Sequence, residues 1–358
     1  MRKVSVEELQ PGMVIARTVY SPFGEPLLKK GIEVRSAYIN NLKRLGINAV
    51  YVEDERMEGA EAQEIISEES KLEAKQVMRE YKNCVTTKSV YREMERPILN
   101  VVDKIIYEVI NKDNVVLDLY DIKTADSYTY DHCLSVGTLS VILGIKHGLT
   151  YDELLQVGLG SFLHDLGKNK VPPQILNKNG SLTSKEFTYI KEHPLSGYNK
   201  FKKSPIYSEI AGNIILQHHE RYEGHGYPYG LKRSQISPYA QIVAISDVYD
   251  AITSDRPYRK AFAPHEAIEM FLALGGIDFD LNILNTFLSF IPAYPVGTHV
   301  ILNNGESGLV IGNTPGFPNR PKIRILYKHE KGIFSQLRNP YEVDLSQNTD
   351  LVVSSVKK

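Results

Sequence analysis

The chain has 358 residues, 42% of them apolar and 24% charged, with a formal net charge of -1. That length admits about two or three domains with a sizeable core, and the composition excludes a disordered or fibrous chain. A balance so near neutrality supplies no global positive field, which argues against DNA, RNA or an anionic membrane as the main partner. No apolar run nears the roughly 20 residues that cross a bilayer, and no signal-type segment follows Met1-Arg2-Lys3, so a cytoplasmic location is expected. Cys84 and Cys133 lie far apart and form no thiolate-ligand pattern, which fits a reducing compartment without disulfides.

Residues 1–55 alternate short apolar runs such as Met13-Val14-Ile15 and Val50-Tyr51-Val52 with turn signals. A helix is predicted between Ser36 and Leu45, closed by Gly46, and the whole reads as a small N-terminal α+β module. Residues 56–112 begin as an acidic, solvated linker and run into long helices. There Ile98, Val101, Val102, Ile105, Ile106, Val109 and Ile110 recur at three-to-four spacing behind Pro97, predicting a core-facing helix. Residues 113–292 are almost entirely helical in pattern, with helices predicted near 127–147, 151–166, 183–192, 205–220, 238–254, 264–274 and 280–291. Thr183 and Glu186 offer a capping box to the third of these. Residues 293–358 change to short β runs separated by turns, predicting a small C-terminal β-barrel-like module. The fold class expected is mainly α, a helical bundle between two small modules.

Seven metal-capable side chains punctuate the helical region: His132, His164, Asp165, His193, His218, His219 and Asp247. Imidazole and carboxylate without sulfur suit iron, manganese or zinc, the metals of hydrolytic sites. Helix neighbours project about 100° apart, so His164 and Asp165 can serve two metals, or the carboxylate can bridge them. An isolated His-Asp pair is more often a surface hydrogen bond, but a second adjacent pair, His218-His219, weakens that reading. His193 alone would more often be a capping or core histidine, and Pro194 is expected to push it into extended geometry. His132, among apolar neighbours, would by itself read as a core histidine. Asp247 lies on a mostly apolar helix, where an ionised carboxylate needs a cation. Lys168, one turn past Asp165, is placed to hold a phosphate oxygen, and Gly167 to let the chain leave the helix. Asp250 could orient a ligand or simply make a structural ion pair.

Three segments carry a resemblance: His164-Asp165-Leu166-Gly167-Lys168, the run from His218-His219 to Gly226-Tyr227-Pro228, and the run from Asp247 through Arg256 to Arg259. In that order they resemble the HD-GYP family over roughly residues 120–292. The resemblance implies an HD-type helical bundle and a cyclic di-GMP phosphodiesterase yielding linear pGpG or GMP. It implies metal binding by His132, His164, Asp165, His193, His218, His219 and Asp247, with Asp165 as the bridge. Lys168 then contacts phosphate, Tyr227 belongs to the signature loop, and Arg256 and Arg259 lie near the substrate phosphates. Tyr128 stands where some relatives carry a glutamate for a third metal, so two divalent ions are expected, iron or manganese ahead of zinc. Leu281 follows Asp278-Phe279-Asp280 where a proline is common.

The expected chemistry is attack of a metal-bridging hydroxide on phosphorus, with Lys168 and Arg256 or Arg259 offsetting phosphate charge. The rings of Tyr222, His225, Tyr227 and Tyr229 could stack on guanine or pack on the bundle as a lid, with Tyr227 and Pro228 favoured as structural. Two other readings stay open: a non-hydrolytic cyclic di-GMP receptor acting through protein contacts, and an HD phosphohydrolase of another nucleotide. A homodimer through the helices at 74–112, and a protein partner at either flanking module, complete the partner expectations.

Overall fold

The computed structural model describes residues 1–21, 25–47, 49–60, 65–84, 95–112, 128–176, 178, 180–254, 260–330 and 333–357. The described residues form two compact units, one drawn from residues 1–65 and 289–358, the other from residues 66–112 and 129–288. No helix among the described residues is long and apolar enough to cross a membrane.

In the first unit, β1 (Arg2–Ser5) pairs antiparallel with β4 (Ala49–Val52), and β2 (Val19–Tyr20) pairs with β3 (Pro26–Leu28). Helix α1 (Ser36–Arg44) adds Leu42 to a core with Val4, Ile15, Val34, Val50 and Val52. The same unit holds a five-stranded antiparallel sheet of β5 (His299–Leu302), β6 (Glu306–Thr314), β7 (Phe317–Glu330), β8 (Ile333–Asp344) and β9 (Val353–Val356). Its order is β8-β7-β6-β5-β9. The expected barrel-like closure is therefore corrected: β8 and β9 are edges that do not pair with each other, so the sheet is open. Met57 packs with Leu309 and Leu326, and Arg324 Nη1 donates to the Arg56 carbonyl at 2.9 Å. The start of the acidic segment is thus packed on this sheet instead of solvated.

The second unit is all helix: α2 (Glu68–Cys84), α3 (Glu95–Ile110), α4 (Tyr128–His147), α5 (Tyr151–Leu163), α6 (Pro173–Leu176), α7 (Ser184–Lys191), α8 (His193–Phe201), α9 (Glu209–Gln217), α10 (Pro238–Thr253), α11 (Pro264–Leu274) and α12 (Leu281–Leu288). A 3-10 turn, Leu166–Lys170, follows α5. Helices α4, α5 and α10 are buried nearly all round, as central helices must be when their apolar residues leave no polar face. Around them, α9 packs on α5, α8 and α10, while α11 and α12 pack on α10. An aromatic cluster of Tyr249, Phe271, Phe279 and Phe287 fills that last interface.

Helix α3 buries Ile98, Val101, Val102, Ile105, Ile106 and Val109 and packs on α5, whereas Ile110 is left exposed at its end. Helix α2 packs on α3, and Lys75 Nζ meets Asp131 of α4 at 2.6 Å. Glu108 of α3 accepts from the Ser67 amide and both the Ser67 and Ser70 hydroxyls, which anchors the start of α2. Both long helices therefore belong to the bundle. The capping boxes at α5 (Thr150, Glu153) and α7 (Thr183, Glu186) satisfy amides that would otherwise lack partners.

Candidate metal centre

Five separate stretches of the bundle deliver the seven candidate ligands to one place. His132 comes from α4, His164 and Asp165 from the end of α5, His193 from the start of α8, His218 and His219 from the end of α9, and Asp247 from α10. Three overlapping groups have ligand atoms within 4.8 Å of one another: His132, His164 and Asp247; His164, Asp165 and His218; His193, His218 and His219. Asp165 lies between them. Its Oδ2 is 3.4 Å from His164 Nε2 and 3.9 Å from His132 Nε2, and its Oδ1 is 3.4 Å from His193 Nε2.

The backbone sets which nitrogen of each ring faces inward. His164 Nδ1 donates to the Ser161 carbonyl at 2.6 Å, and His193 Nδ1 to that of Ile190 at 2.7 Å. His218 Nδ1 donates to the Ile215 carbonyl at 3.0 Å. A carbonyl only accepts, so each ring carries a proton on Nδ1 and, when neutral, turns the Nε2 lone pair to the centre. Two of these lone pairs, on His193 and His218, face each other at 3.2 Å. His164 Nε2 and Asp165 Oδ1 are buried without a hydrogen-bond partner. Inward lone pairs and an orphaned carboxylate oxygen, with no donor between them, form a site that a cation completes. The residues present therefore fit the divalent metals expected from the sequence.

Protonation agrees with this arrangement. Burial, then the neighbouring imidazoles, holds His218 and His219 well below the usual histidine value. Burial likewise takes His193 down to about 4, so all three are neutral at pH 7. Burial opposes ionisation of Asp165 and Asp247, yet His164 and Lys168 around the first and His132 beside the second keep both well below the carboxylate range. His132 differs: burial pushes its value down, but Asp247 and Asp250 raise it to about 10. Its Nε2 is 3.2 Å from Asp247 Oδ1, and its Nδ1 donates to Asp250 Oδ2 at 2.8 Å. Asp250 is buried, and its one contact with His132 is both an ion pair and a hydrogen bond that orients the ring, so it serves both roles left open for it.

Lys168 lies in the 3-10 turn with Nζ 2.7 Å from Asp165 Oδ2. Burial lowers its pKa, but Asp165 and Asp247 more than compensate, so the ammonium stays charged. Gly167 has a different purpose from the one expected. A Cβ there would stand 1.9 Å from the His193 carbonyl oxygen and 2.7 Å from the Gly197 amide, so glycine is what lets this turn press onto α8. His193 also departs from expectation: it begins α8, with Pro194 in the first turn, where a missing amide hydrogen costs nothing.

The segment after His219 closes the site. Tyr227 stacks on His219 with centroids 4.6 Å apart, and its amide donates to the His219 carbonyl at 3.1 Å. The Tyr227-Pro228 peptide is cis. A Cβ on Gly226 would lie 2.4 Å from the Arg221 amide nitrogen and 2.5 Å from the Glu220 Cα. Glu220, not singled out in the sequence, is buried, and its two oxygens accept from the amides of Tyr229 and Leu231 at 2.8 and 2.9 Å. A carboxylate bordering a glycine-rich loop full of free amides is the signal that could have identified it. His225 Nε2 meets Asp278 Oδ1 at 2.7 Å, while Tyr229 is exposed. Arg256 and Arg259 lie outside the described residues.

Comparison with known proteins agrees with the geometry. The family described as HD domain matches residues 122–283, a domain of unknown function matches 1–109, and a KOW domain associated with HD domain matches 299–358. A cyclic di-GMP phosphodiesterase of Pseudomonas aeruginosa is 38% identical over 228 residues, covering 64% of this chain and 55% of the relative. A cyclic di-GMP phosphodiesterase of Thermotoga maritima is 33% identical over 185 residues, covering 51% of this chain and 49% of the relative. A 3'3'-cGAMP-specific phosphodiesterase of Vibrio cholerae is 30% identical over 190 residues, covering 51% of this chain and 43% of the relative. The chain spans about half the length of these relatives. Residues 122–283 are thus similar to the HD domain, and the His164-Asp165 and Gly226-Tyr227-Pro228 motifs stand in the order in which this chain resembles the HD-GYP family.

Proposed function

We propose that this chain hydrolyses a cyclic dinucleotide, with cyclic di-GMP as the first substrate to test, to linear pGpG or GMP. The observation that carries the reading is the convergence of His132, His164, Asp165, His193, His218, His219 and Asp247 into overlapping ligand groups around one carboxylate. His132, His164 and Asp247 would hold one divalent ion, and His193, His218 and His219 a second, with Asp165 between them. Iron and manganese are favoured over zinc. When bound, such ions supply a hydroxide nucleophile at neutral pH and neutralise charge on the phosphodiester.

The chain's own residues do the rest. Lys168, charged and 2.7 Å from Asp165, offers an ammonium to a non-bridging phosphate oxygen beside the cluster. Asp250 fixes the orientation of His132 through Nδ1. Tyr227 covers His219 and narrows access from that side, and Glu220 holds the loop that carries it. Arg256 and Arg259 are proposed as further phosphate contacts.

Relatives named for cyclic di-GMP and for 3'3'-cGAMP both support a cyclic dinucleotide over a mononucleotide. The test is chromatography of reactions containing anaerobically purified protein, ferrous or manganous ion, and a panel of cyclic di-GMP, 3'3'-cGAMP and mononucleotides. Conversion of cyclic di-GMP to pGpG or GMP, abolished by chelation, is expected. Tight binding with the nucleotide returned intact would replace this reading with the receptor reading.

A further inference from the structure

We propose that the open groove along Phe187 is a nucleobase subsite of the candidate centre, taking one guanine of the cyclic dinucleotide. The inference rests on the phosphodiesterase reading above and adds where a base goes. Phe187 is 43% exposed on α7, so its ring is open to a partner. Its edge meets Tyr227 with centroids 6.3 Å apart at 78°, and Tyr227 in turn stacks on His219. A continuous run of rings thus leads outward from the ligand cluster to Phe187. A dinucleotide with its phosphate at the cluster has to send its bases outward, and this is an aromatic route for one of them.

Space and charge at the end of the route suit a base. The groove is open to solvent, offers about 670 Å³, and is lined by Gly180, Ser181, Leu182, Ser184 and Phe187. That volume is in the range of small-molecule sites, roughly 300–1,000 Å³. Its wall is held in place: Thr183 and Glu186 cap α7, and Lys178 Nζ bonds both Glu186 oxygens at 2.9 and 2.7 Å. Lys191 carries its ammonium over both rings, 4.9 Å from the Phe187 centroid and 5.5 Å from that of Tyr227, and forms no salt bridge with a carboxylate among the described residues. An ammonium at the rim can donate to the O6 and N7 acceptors of guanine, whereas adenine presents an amino donor at that edge. A base that takes the ammonium's place over Phe187, with the Lys191 side chain turned to its O6 and N7 edge, makes the groove selective for guanine.

The test compares cyclic di-GMP with bis-p-nitrophenyl phosphate, a phosphodiester without bases, using the full metal-loaded chain. Phe187→Ala is expected to raise KM for cyclic di-GMP about tenfold, the size of one lost base–aromatic stack, with turnover of the small diester unchanged. Phe187→Leu keeps apolar packing against Tyr227 but removes the π face, and is expected to raise KM similarly. Lys191→Gln is expected to reduce the preference for cyclic di-GMP over cyclic di-AMP several-fold. The subsite is overturned if Phe187→Leu leaves KM unchanged, if hydrolysis of both substrates falls in parallel, or if Lys191→Gln leaves the base preference intact. A wild-type protein inactive on both substrates would instead overturn the phosphodiesterase reading and this subsite with it.

Discussion

Replacing Asp250 with alanine should weaken one of two metal sites and spare the other. His132 donates Nδ1–H to Asp250 Oδ2 at 2.8 Å, and both residues are buried. Without that acceptor the imidazole loses the partner that fixes its tautomer and aims Nε2 inward. Outer carboxylates of this kind are worth about 10–100-fold in metal affinity, or about 1.4–2.7 kcal/mol. The loss is confined because His132 gathers with His164 and Asp247, while His193, His218 and His219 form a group without it. Titration of metal-free Asp250→Ala against a chelating dye should therefore keep one affinity at the wild-type value and lower the other by that factor. Asp250→Asn should fall between, since its amide oxygen still accepts from Nδ1–H but carries no charge. Equal weakening of both sites, or wild-type affinity at both, would refute the division of ligands argued above.

Lys168→Met should lower kcat/KM for cyclic di-GMP about 100-fold with metal content unchanged, as expected for loss of one charged phosphate contact, read from steady-state kinetics and metal analysis. Gly226→Ala forces a Cβ to within 2.5 Å of backbone atoms of Glu220 and Arg221, so the Tyr227 loop must move; a displacement near 1 Å predicts a loss of about 100-fold in turnover. Phe271→Ala, which empties the cluster beneath α10, should cost about 3–5 kcal/mol by denaturant unfolding. Glu186 is held down to about 2 by its bond to Lys178 and then by the Thr183 amide and hydroxyl. A depressed carboxyl stabilises the fold fully above its unfolded value near 4.5 and loses that contribution as pH falls toward about 2. Glu186→Gln should accordingly be less stable than wild type at pH 7, with the difference vanishing near pH 2.

What was legible in the sequence was whatever one residue's chemistry makes improbable on its own. An ionised Asp247 on an apolar helix and two adjacent pairs, His164-Asp165 and His218-His219, make little sense apart, and the fold brings all seven candidate ligands together. Period located α5, and the Thr183-Glu186 capping box marked the start of α7, because capping boxes are local. Features that depend on contacts between distant segments were not legible. Pro194 reads as a helix boundary, but it sits in the first turn of α8, where its ring fits. Gly167 reads as an exit from a helix, and only the neighbouring α8 shows that the absent Cβ is the point. The five C-terminal strands carry the alternation of a barrel, yet closure depends on whether the edge strands meet, which no local pattern encodes. Glu220 acts through two amides nine and eleven residues away, a geometry created by the fold of the loop.

The central claim is most directly tested by metal stoichiometry, measured together with cyclic di-GMP cleavage in anaerobically purified wild-type and Asp165→Asn protein. The account predicts about two divalent ions per wild-type chain and cleavage of the dinucleotide, with the variant losing both bound metal and activity. An Asp165→Asn protein with a full metal load and full activity would contradict it.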